Sequence, residues 1–263
     1  MLLLSHCLQR PRTWLISHDD SALPAATAAA FAAGCQKLAD GQPLAYLLGE
    51  QEFHGLTLHV TPDVLVPRPD TETLVDWALA LLPGLAPPGE PAPPGPRVID
   101  LGTGSGAIAL AVAHDCPAAQ VTATDLSPAA LAVAQGNARR LGLNVRFAEG
   151  AWWQAVAPDA QFELVLSNPP YIAGRDPHLP ALRHEPTLAL TPGGDGLDAL
   201  RQIISGARQH LAPGGWLLLE HGWDQAAAVR TLLREHQLEP VLTRQDIAGR
   251  DRCTGGQLGS VRE

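Results

Sequence analysis

Two short stretches hold residue types that can do chemistry. The first is Asp100-Leu101-Gly102-Thr103-Gly104-Ser105-Gly106. Glycines let backbone approach a ligand closely, and a helix starting just beyond them turns free N–H groups towards it. The spacing is G-x-G-x-G, not the G-x-G-x-x-G of dinucleotide sites, and the Lys of a P-loop is missing. Dinucleotide and ATP binding are therefore disfavoured. Asp125 ends the next expected strand, about 20 residues on, where a carboxylate can accept both hydroxyls of a ribose. Taken singly, the loop could be a bare βα turn and Asp125 a helix-capping carboxylate. The pair at this spacing points to a nucleoside-containing ligand.

The second stretch is Asn168-Pro169-Pro170-Tyr171, at the end of another expected strand. Two prolines lock φ and remove two N–H donors, so nearby carbonyls stay free as acceptors. Asn168 adds a side-chain acceptor and Tyr171 a ring. The D-L-G-x-G-x-G form resembles motif I of S-adenosylmethionine-dependent methyltransferases. Beside a methyl donor, such a turn suits a planar NH2. Acceptors on both N–H bonds orient the group and let its lone pair localise, while Tyr171 stacks on the flat substrate. No strong base is needed, and catalysis comes from positioning and aimed dipoles. The bland alternative is a rigid Pro-Pro turn.

These stretches need a scaffold that brings strand ends together. From Arg97 the pattern alternates strand, turn and helix. Strands are expected at Arg97–Leu101, Gln120–Asp125, Val145–Ala148, Glu163–Ser167 and Trp216–Glu220. Helices are expected at Ala107–His114, Pro128–Leu141, Leu197–His210 and Gln225–His236. This predicts an α/β fold with a parallel sheet covered on both faces. Glu239–Arg244 and Gln257–Val261 read as a closing antiparallel hairpin. Residues 1–40 look helical, with Ser21 as a cap and Gly41 as a stop. Phe53–Val66 reads as a hairpin turning at Thr61-Pro62-Asp63. Thr71–Leu82 follows in helical period, capped by Asp70 or Thr71. Residues 83–96 hold seven prolines and three glycines and are expected to form a solvated connection.

Composition narrows the class. With 263 residues there is room for one large domain or two modest ones. Net charge is −9, which disfavours a partner recognised through its phosphates. No apolar run reaches the 18–20 residues needed to span a bilayer, and no secretory leader is readable. Four scattered cysteines form no C-x-x-C pair, so a reduced, cytoplasmic setting is expected and a zinc ribbon is not. His178, His184 and His221 fall near the candidate site without a metal-ligand pattern, and no metal is expected.

Several segments together resemble the PrmC/HemK family, protein-glutamine N5-methyltransferases acting on the Gly-Gly-Gln motif of class 1 peptide chain release factors. The resemblance runs from about Gly41 to the C-terminus. It rests on Gly41–Gly49, Val66-Pro67-Arg68-Pro69-Asp70-Thr71-Glu72, the glycine loop, Ser167–Ile172, Glu220-His221-Gly222 and Gly249-Arg250-Asp251-Arg252. Asn-Pro-Pro-Tyr alone is shared with DNA adenine methyltransferases; the Pro-Arg-Pro-Asp-Thr-Glu stretch is far more specific.

The resemblance implies a Rossmann-like class I methyltransferase domain with a seven-stranded sheet over 69–263. It also implies a helical, substrate-docking domain over 1–50 and a β-hairpin linker over 51–68. It implies that Gly102, Thr103, Gly104, Ser105, Gly106, Asp125, Trp152 and Asn168 contact S-adenosyl-L-methionine, leaving S-adenosyl-L-homocysteine as product. Asn168, Pro169, Pro170 and Tyr171 would hold the glutamine amide, with Asn168, Pro169 and Tyr171 as catalytic candidates. Core packing is the alternative for Trp152 and for Trp153. Arg68 and Glu72 read equally as rim residues or as a structural ion pair.

A cytoplasmic monomer without nucleic-acid or membrane contacts is expected. Three departures from the family pattern are a shorter N-terminal part, a longer Pro-rich stretch and Ala151 where an acidic residue is usual. Gly255-Gly256-Gln257 repeats the substrate tripeptide, but in the last expected strand, where it cannot reach the site. The rival readings are a ribosomal-protein glutamine methyltransferase, an adenine-N6 methyltransferase and a non-catalytic cofactor-binding module.

Overall fold

Apolar runs such as Val98-Ile99 and Leu164–Leu166 demand cover on both faces, because neighbouring strand residues point opposite ways. The computed structural model, which describes residues 1–85 and 95–260, supplies that cover. Seven strands form one sheet: β3 (Arg97–Leu101), β4 (Gln120–Asp125), β5 (Arg146–Glu149), β6 (Phe162–Ser167), β7 (Leu211–Glu220), β8 (Leu238–Gln245) and β9 (Asp251–Leu258). Their order is β5-β4-β3-β6-β7-β9-β8, with β5 to β7 parallel and β9 antiparallel to both neighbours. Val98, Leu164, Leu166 and Leu218 pack on one face, against helices α5 (Glu72–Leu81), α6 (Ala107–Asp115) and α7 (Pro128–Leu141). Ile99, Leu101, Val165, Leu217 and Leu219 pack on the other, against α9 (Asp198–His210) and α10 (Ala226–Glu235). A short helix, α8 (Thr187–Leu190), sits in the loop before α9.

Local sequence explains several boundaries. The Ser127 hydroxyl accepts from the Ala130 amide, Pro128 opens α7, and Gly142 closes it at φ 67. α6 is apolar all round and buried throughout Ala107–Ala113.

The N-terminal part differs from expectation. Residues 1–40 form three helices, α1 (Leu2–Leu8), α2 (Arg12–Ser17) and α3 (Ala25–Ala39). Pro24 occupies the cap position of α3 and Ser21 does not cap it, since proline fits the start of a helix and leaves no donor stranded. α4 (Leu44–Leu48) ends at Gly49, at φ 75. The hairpin is β1 (Glu50–Phe53) and β2 (Leu56–His59), and it turns at His54-Gly55, not at Thr61–Asp63. Both turn residues have positive φ, 48 and 75, which suits the twist of a two-residue loop. Thr61–Asp63 still forms a turn, with the Val64 amide on the Thr61 carbonyl, but it follows the hairpin.

Thr71 stands at the cap position of α5 without a side-chain capping bond, behind a short 3-10 turn at Pro69–Thr71. Leu82–Gly84 makes one more 3-10 turn. Residues 86–94 of the Pro-rich stretch, and Val261 of the last expected strand, lie outside the described residues. β7 begins at Leu211, five residues before expectation, and its register shifts across Pro213-Gly214-Gly215. β9 begins at Asp251, six residues early.

Candidate active site

The strand order reverses between β3 and β6, and ligands of open α/β sheets lie beyond the strand ends at such a point. A cavity of about 650 Å³ opens there. Its wall includes Gly102–Ser105, Asp125, Trp152, Asn168 and Pro170, so the two chemical stretches face one space.

The glycine loop owes its course to three positive φ angles, 77 at Gly102, 55 at Gly104 and 87 at Gly106. The Gly102 and Thr103 amides bind the Thr124 carbonyl at 2.9 and 2.8 Å, which ties the loop to β4. The Asp125 carboxylate accepts from the Gly104 amide at 2.8 Å and from the Ser127 amide at 2.9 Å. It therefore holds the loop while keeping lone pairs for a ligand. A Cβ on Gly102 would stand 3.2 Å from the Trp152 ring. Trp152 has φ 48, a conformation an L residue rarely adopts, and it borders the cavity. Trp153 is structural: its indole N–H donates to the Ile203 carbonyl at 2.9 Å and its ring stacks on His210.

Asp100 lies fully buried behind the loop. Its Oδ2 accepts from the Thr103 hydroxyl at 2.6 Å, and its Oδ1 has no partner among the described residues. Burial pushes this carboxyl up to about 7, against the pull of the Thr103 hydrogen bond. These features fit a nucleoside-bearing cation: bare backbone for close approach, remaining lone pairs on the Asp125 carboxylate, and an unspent acidic oxygen beneath the loop.

Asn168 Nδ2 donates to Thr71 Oγ1 at 3.2 Å, which leaves Oδ1 as an acceptor. Outside the strand ladder, no hydrogen bond among the described residues ends on the Asn168, Pro169 or Pro170 carbonyls. Pro169 is buried and is not part of the cavity wall. Tyr171 also stands behind the wall. Its hydroxyl donates to Glu220 Oε1 at 3.2 Å, its carbonyl accepts from Gln225, and burial raises its pKa. Stacking of Tyr171 on a substrate would need the ring to reach the cavity past Asn168 and Pro170.

Several positioning groups are visible only in the structure. Asn137, fully buried on α7, bridges the hairpin to the glycine loop. Its Oδ1 accepts from the His59 amide at 2.7 Å, and its Nδ2 donates to the His59 and Ser105 carbonyls at 2.9 Å each. Arg68 pairs with Glu185, whose buried carboxylate also accepts from the Val66 amide at 3.1 Å. Arg68 is thus both a cavity-wall residue and half of an ion pair. Glu72 instead accepts from the His54 amide at 3.0 Å. Arg183 and His184 bind Asp40, so three consecutive residues fasten the end of α3 and the linker to the cavity rim. His178 pairs with Asp176, and His221 is buried between the Gly222 carbonyl and the Thr254 hydroxyl. Gly255 and Gly256 lie in β9 opposite Leu218 and Leu217, and the Gln257 amide donates to the Gly214 carbonyl at 2.8 Å.

Comparison with known proteins gives the same picture. Residues 80–236 match the methyltransferase small domain family, and residues 1–49 match the PrmC N-terminal domain. A release factor glutamine methyltransferase of Bordetella pertussis is 53% identical over 98% of this chain and 93% of its own length. Proteins of the same name from Xylella fastidiosa and Vibrio cholerae are 52% and 44% identical, and the chain spans 90% of each.

Solved structures agree on the fold. The N-terminal domain of human METTL16 in complex with SAH is 16% identical, with a TM-score of 0.56, over 80% of this chain and 77% of that one. A methyltransferase from Pyrococcus furiosus is 20% identical, also with a TM-score of 0.56, over 78% and 90%. The fold is thus a Rossmann-like class I methyltransferase fold, and the chain belongs to the PrmC/HemK family, the release factor glutamine methyltransferases.

Proposed function

We propose that this protein transfers a methyl group from S-adenosyl-L-methionine to the side-chain amide N5 of the Gly-Gly-Gln glutamine in class 1 peptide chain release factors, and so modulates translation termination. The observation that carries the reading is the near-full-length likeness to release factor glutamine methyltransferases. The bound cofactor supplies an electrophilic methyl on a sulfonium, and S-adenosyl-L-homocysteine is the product.

The chain's own residues do the rest by placement. Gly102–Gly106 bring backbone close to the cofactor, Asp125 offers its remaining lone pairs to the ribose, and Trp152 walls the base side. Asn168 Oδ1 and the carbonyls of the Pro169-Pro170 turn accept the two N–H bonds of the target amide. This keeps the NH2 planar group oriented and raises electron density on nitrogen where attack begins. The proton lost after transfer leaves through those same acceptors to solvent. Tyr171 supports the turn from behind through Glu220.

Residues 1–50 serve as a docking domain, 51–68 as a hairpin linker and 69–263 as the catalytic domain. The protein works as a cytoplasmic monomer without contacting nucleic acid. The net charge of −9 supports the lack of nucleic-acid contact. Among the described residues no helix is long and apolar enough to cross a membrane.

The test is methyl transfer from labelled S-adenosylmethionine to purified release factor, with the Gly-Gly-Gln glutamine intact or changed to Glu. Label should appear only on the intact factor and be lost with Asn168→Ala. Equal label on both factors, or none on either with cofactor bound, refutes the assignment.

A further inference from the structure

Behind the Asn-Pro-Pro-Tyr turn lies a buried polar chain of which the reaction just described uses only the Tyr171–Glu220 contact. Thr71 is 4% exposed and Glu220, at the end of β7, is 1% exposed. Asn168 Nδ2 donates to the Thr71 hydroxyl, and the Tyr171 hydroxyl donates to Glu220 Oε1. The Thr71 hydroxyl also neighbours the Glu220 carboxyl, and Oε2 of that carboxyl, fully buried, has no hydrogen-bond partner among the described residues and stands open to a donor. Thr71 comes from the Pro-Arg-Pro-Asp-Thr-Glu stretch and Glu220 from Glu-His-Gly, so distant segments meet behind one side chain.

A hydroxyl has one proton to give. If Glu220 is ionised, Thr71 gives that proton to the carboxylate and must accept from Asn168. The amide of Asn168 then stands with Nδ2 inward and Oδ1 towards the cavity. If Glu220 carries a proton, it can donate to Thr71, whose own proton then turns to Asn168. The Asn168 amide flips, and its NH2 meets the NH2 of an incoming glutamine, donor against donor. The direction of the chain therefore decides whether the site presents an acceptor.

We propose that Thr71 and Glu220 are positioning residues that hold Asn168 with its acceptor oxygen facing the substrate amide, with the Glu220 carboxylate as the terminal acceptor. This rests on the glutamine-amide reading above. Burial raises the Glu220 carboxyl to about 7. The groups facing it are Asp70 before α5, Tyr171 after β6, and Arg252 and Cys253 on β9. Arg252 is itself held by Asp246 at 3.0 Å and Asp70 at 3.2 Å. The neighbouring His221 points away, to Gly222 and Thr254.

The experiment compares Thr71→Val, Thr71→Ser and Glu220→Gln with the wild-type chain, in methyl transfer to release factor and in equilibrium binding of S-adenosylhomocysteine. Thr71→Val keeps the shape and removes the hydroxyl. It should lower kcat about 10- to 100-fold while cofactor affinity stays within about threefold. Thr71→Ser should recover most of the loss. Wild-type kcat should climb as pH rises through about 7, whereas Glu220→Gln, which keeps a donor against Thr71 at every pH, should be slow and lack that limb.

A Thr71→Val enzyme with wild-type kcat, a Ser variant as slow as Val, or an unchanged pH limb in Glu220→Gln overturns the proposal. The side-chain NH2 resonances of Asn168, assigned by their loss in Asn168→Ala, give a second readout. They should shift with pH in the wild type and not in Glu220→Gln. If the wild type methylates no release factor, the glutamine reading falls, and these resonances alone decide the positioning role: no pH shift overturns it.

Discussion

Asn137 offers the sharpest test of how the linker and the glycine loop are joined. Asn137→Ala removes four hydrogen bonds: three to the His59 amide, the His59 carbonyl and the Ser105 carbonyl, and one from the Arg140 guanidinium, which also donates to the Thr57 carbonyl. Each such bond contributes about 1 kcal/mol net, and a buried partner left unpaired costs about 1–3 kcal/mol. Ser105 is 3% exposed, so its carbonyl bears the full penalty, while His59 lies at an exposed strand end where water takes up part of the loss. The expected destabilisation is about 2–4 kcal/mol, a fall in Tm of about 4–8 °C for a chain of this size. Urea unfolding measures the first and hydrogen exchange of the β1–β2 amides locates it, because the hairpin should lose protection before the sheet does. Cofactor binding should weaken as well, through the loosened Ser105 turn. A loss under about 0.5 kcal/mol, or full loss with hairpin protection unchanged, would refute the argument that Asn137 is the bridge.

Other consequences follow from single residues. Gly106→Ala places a Cβ 2.9 Å from Leu110 and 3.2 Å from Ala134 at φ 87. It should cost at least about 1–2 kcal/mol and weaken cofactor binding, checked by thermal melts and titration calorimetry. Asp100 has its carboxyl raised from 3.8 to about 7, so the unfolded chain releases that proton first. Stability should fall as pH rises from about 4 to about 7 and level off above, with Glu220 adding a fall of the same sign. Asp100→Asn should flatten about half of that slope in urea melts between pH 5 and 8.

The sheet was legible because its signals are local. β3, β4 and α7 match expectation to the residue, since Gly102 stops β3, alternation ending at Asp125 marks β4, and a Ser-Pro start with a glycine stop fixes α7. The hairpin turn was not, because His54 is a poor advertisement for positive φ, while Thr61-Pro62-Asp63 looks like a turn and is one, outside the strands. The glycine loop, Asp125 and Asn168 were legible as a site because each follows a strand. Their supports were harder to see. Asn137 left a signal: it occupies a core position in the buried stripe Ala130, Leu131, Ala134, Ala138, where a polar residue must have buried partners. Thr71 and Glu220 left none in spacing, since 149 positions separate them in the chain and only the fold brings them together.

The Gly255-Gly256-Gln257 tripeptide has a kinetic meaning as well as a structural one. Both glycines are enclosed, for a Cβ on Gly255 would stand 2.5 Å from Leu218 and one on Gly256 2.9 Å from Leu238. Every copy thus carries a tripeptide that matches the proposed target, and folding sequesters it. With an unfolded fraction of about 10⁻³–10⁻⁶ in cells, the decoy is exposed at about a thousandth of the enzyme concentration or less. Selection of the release factor over the enzyme's own tail therefore needs no sequence discrimination at this tripeptide. Sheet stability alone keeps the two apart.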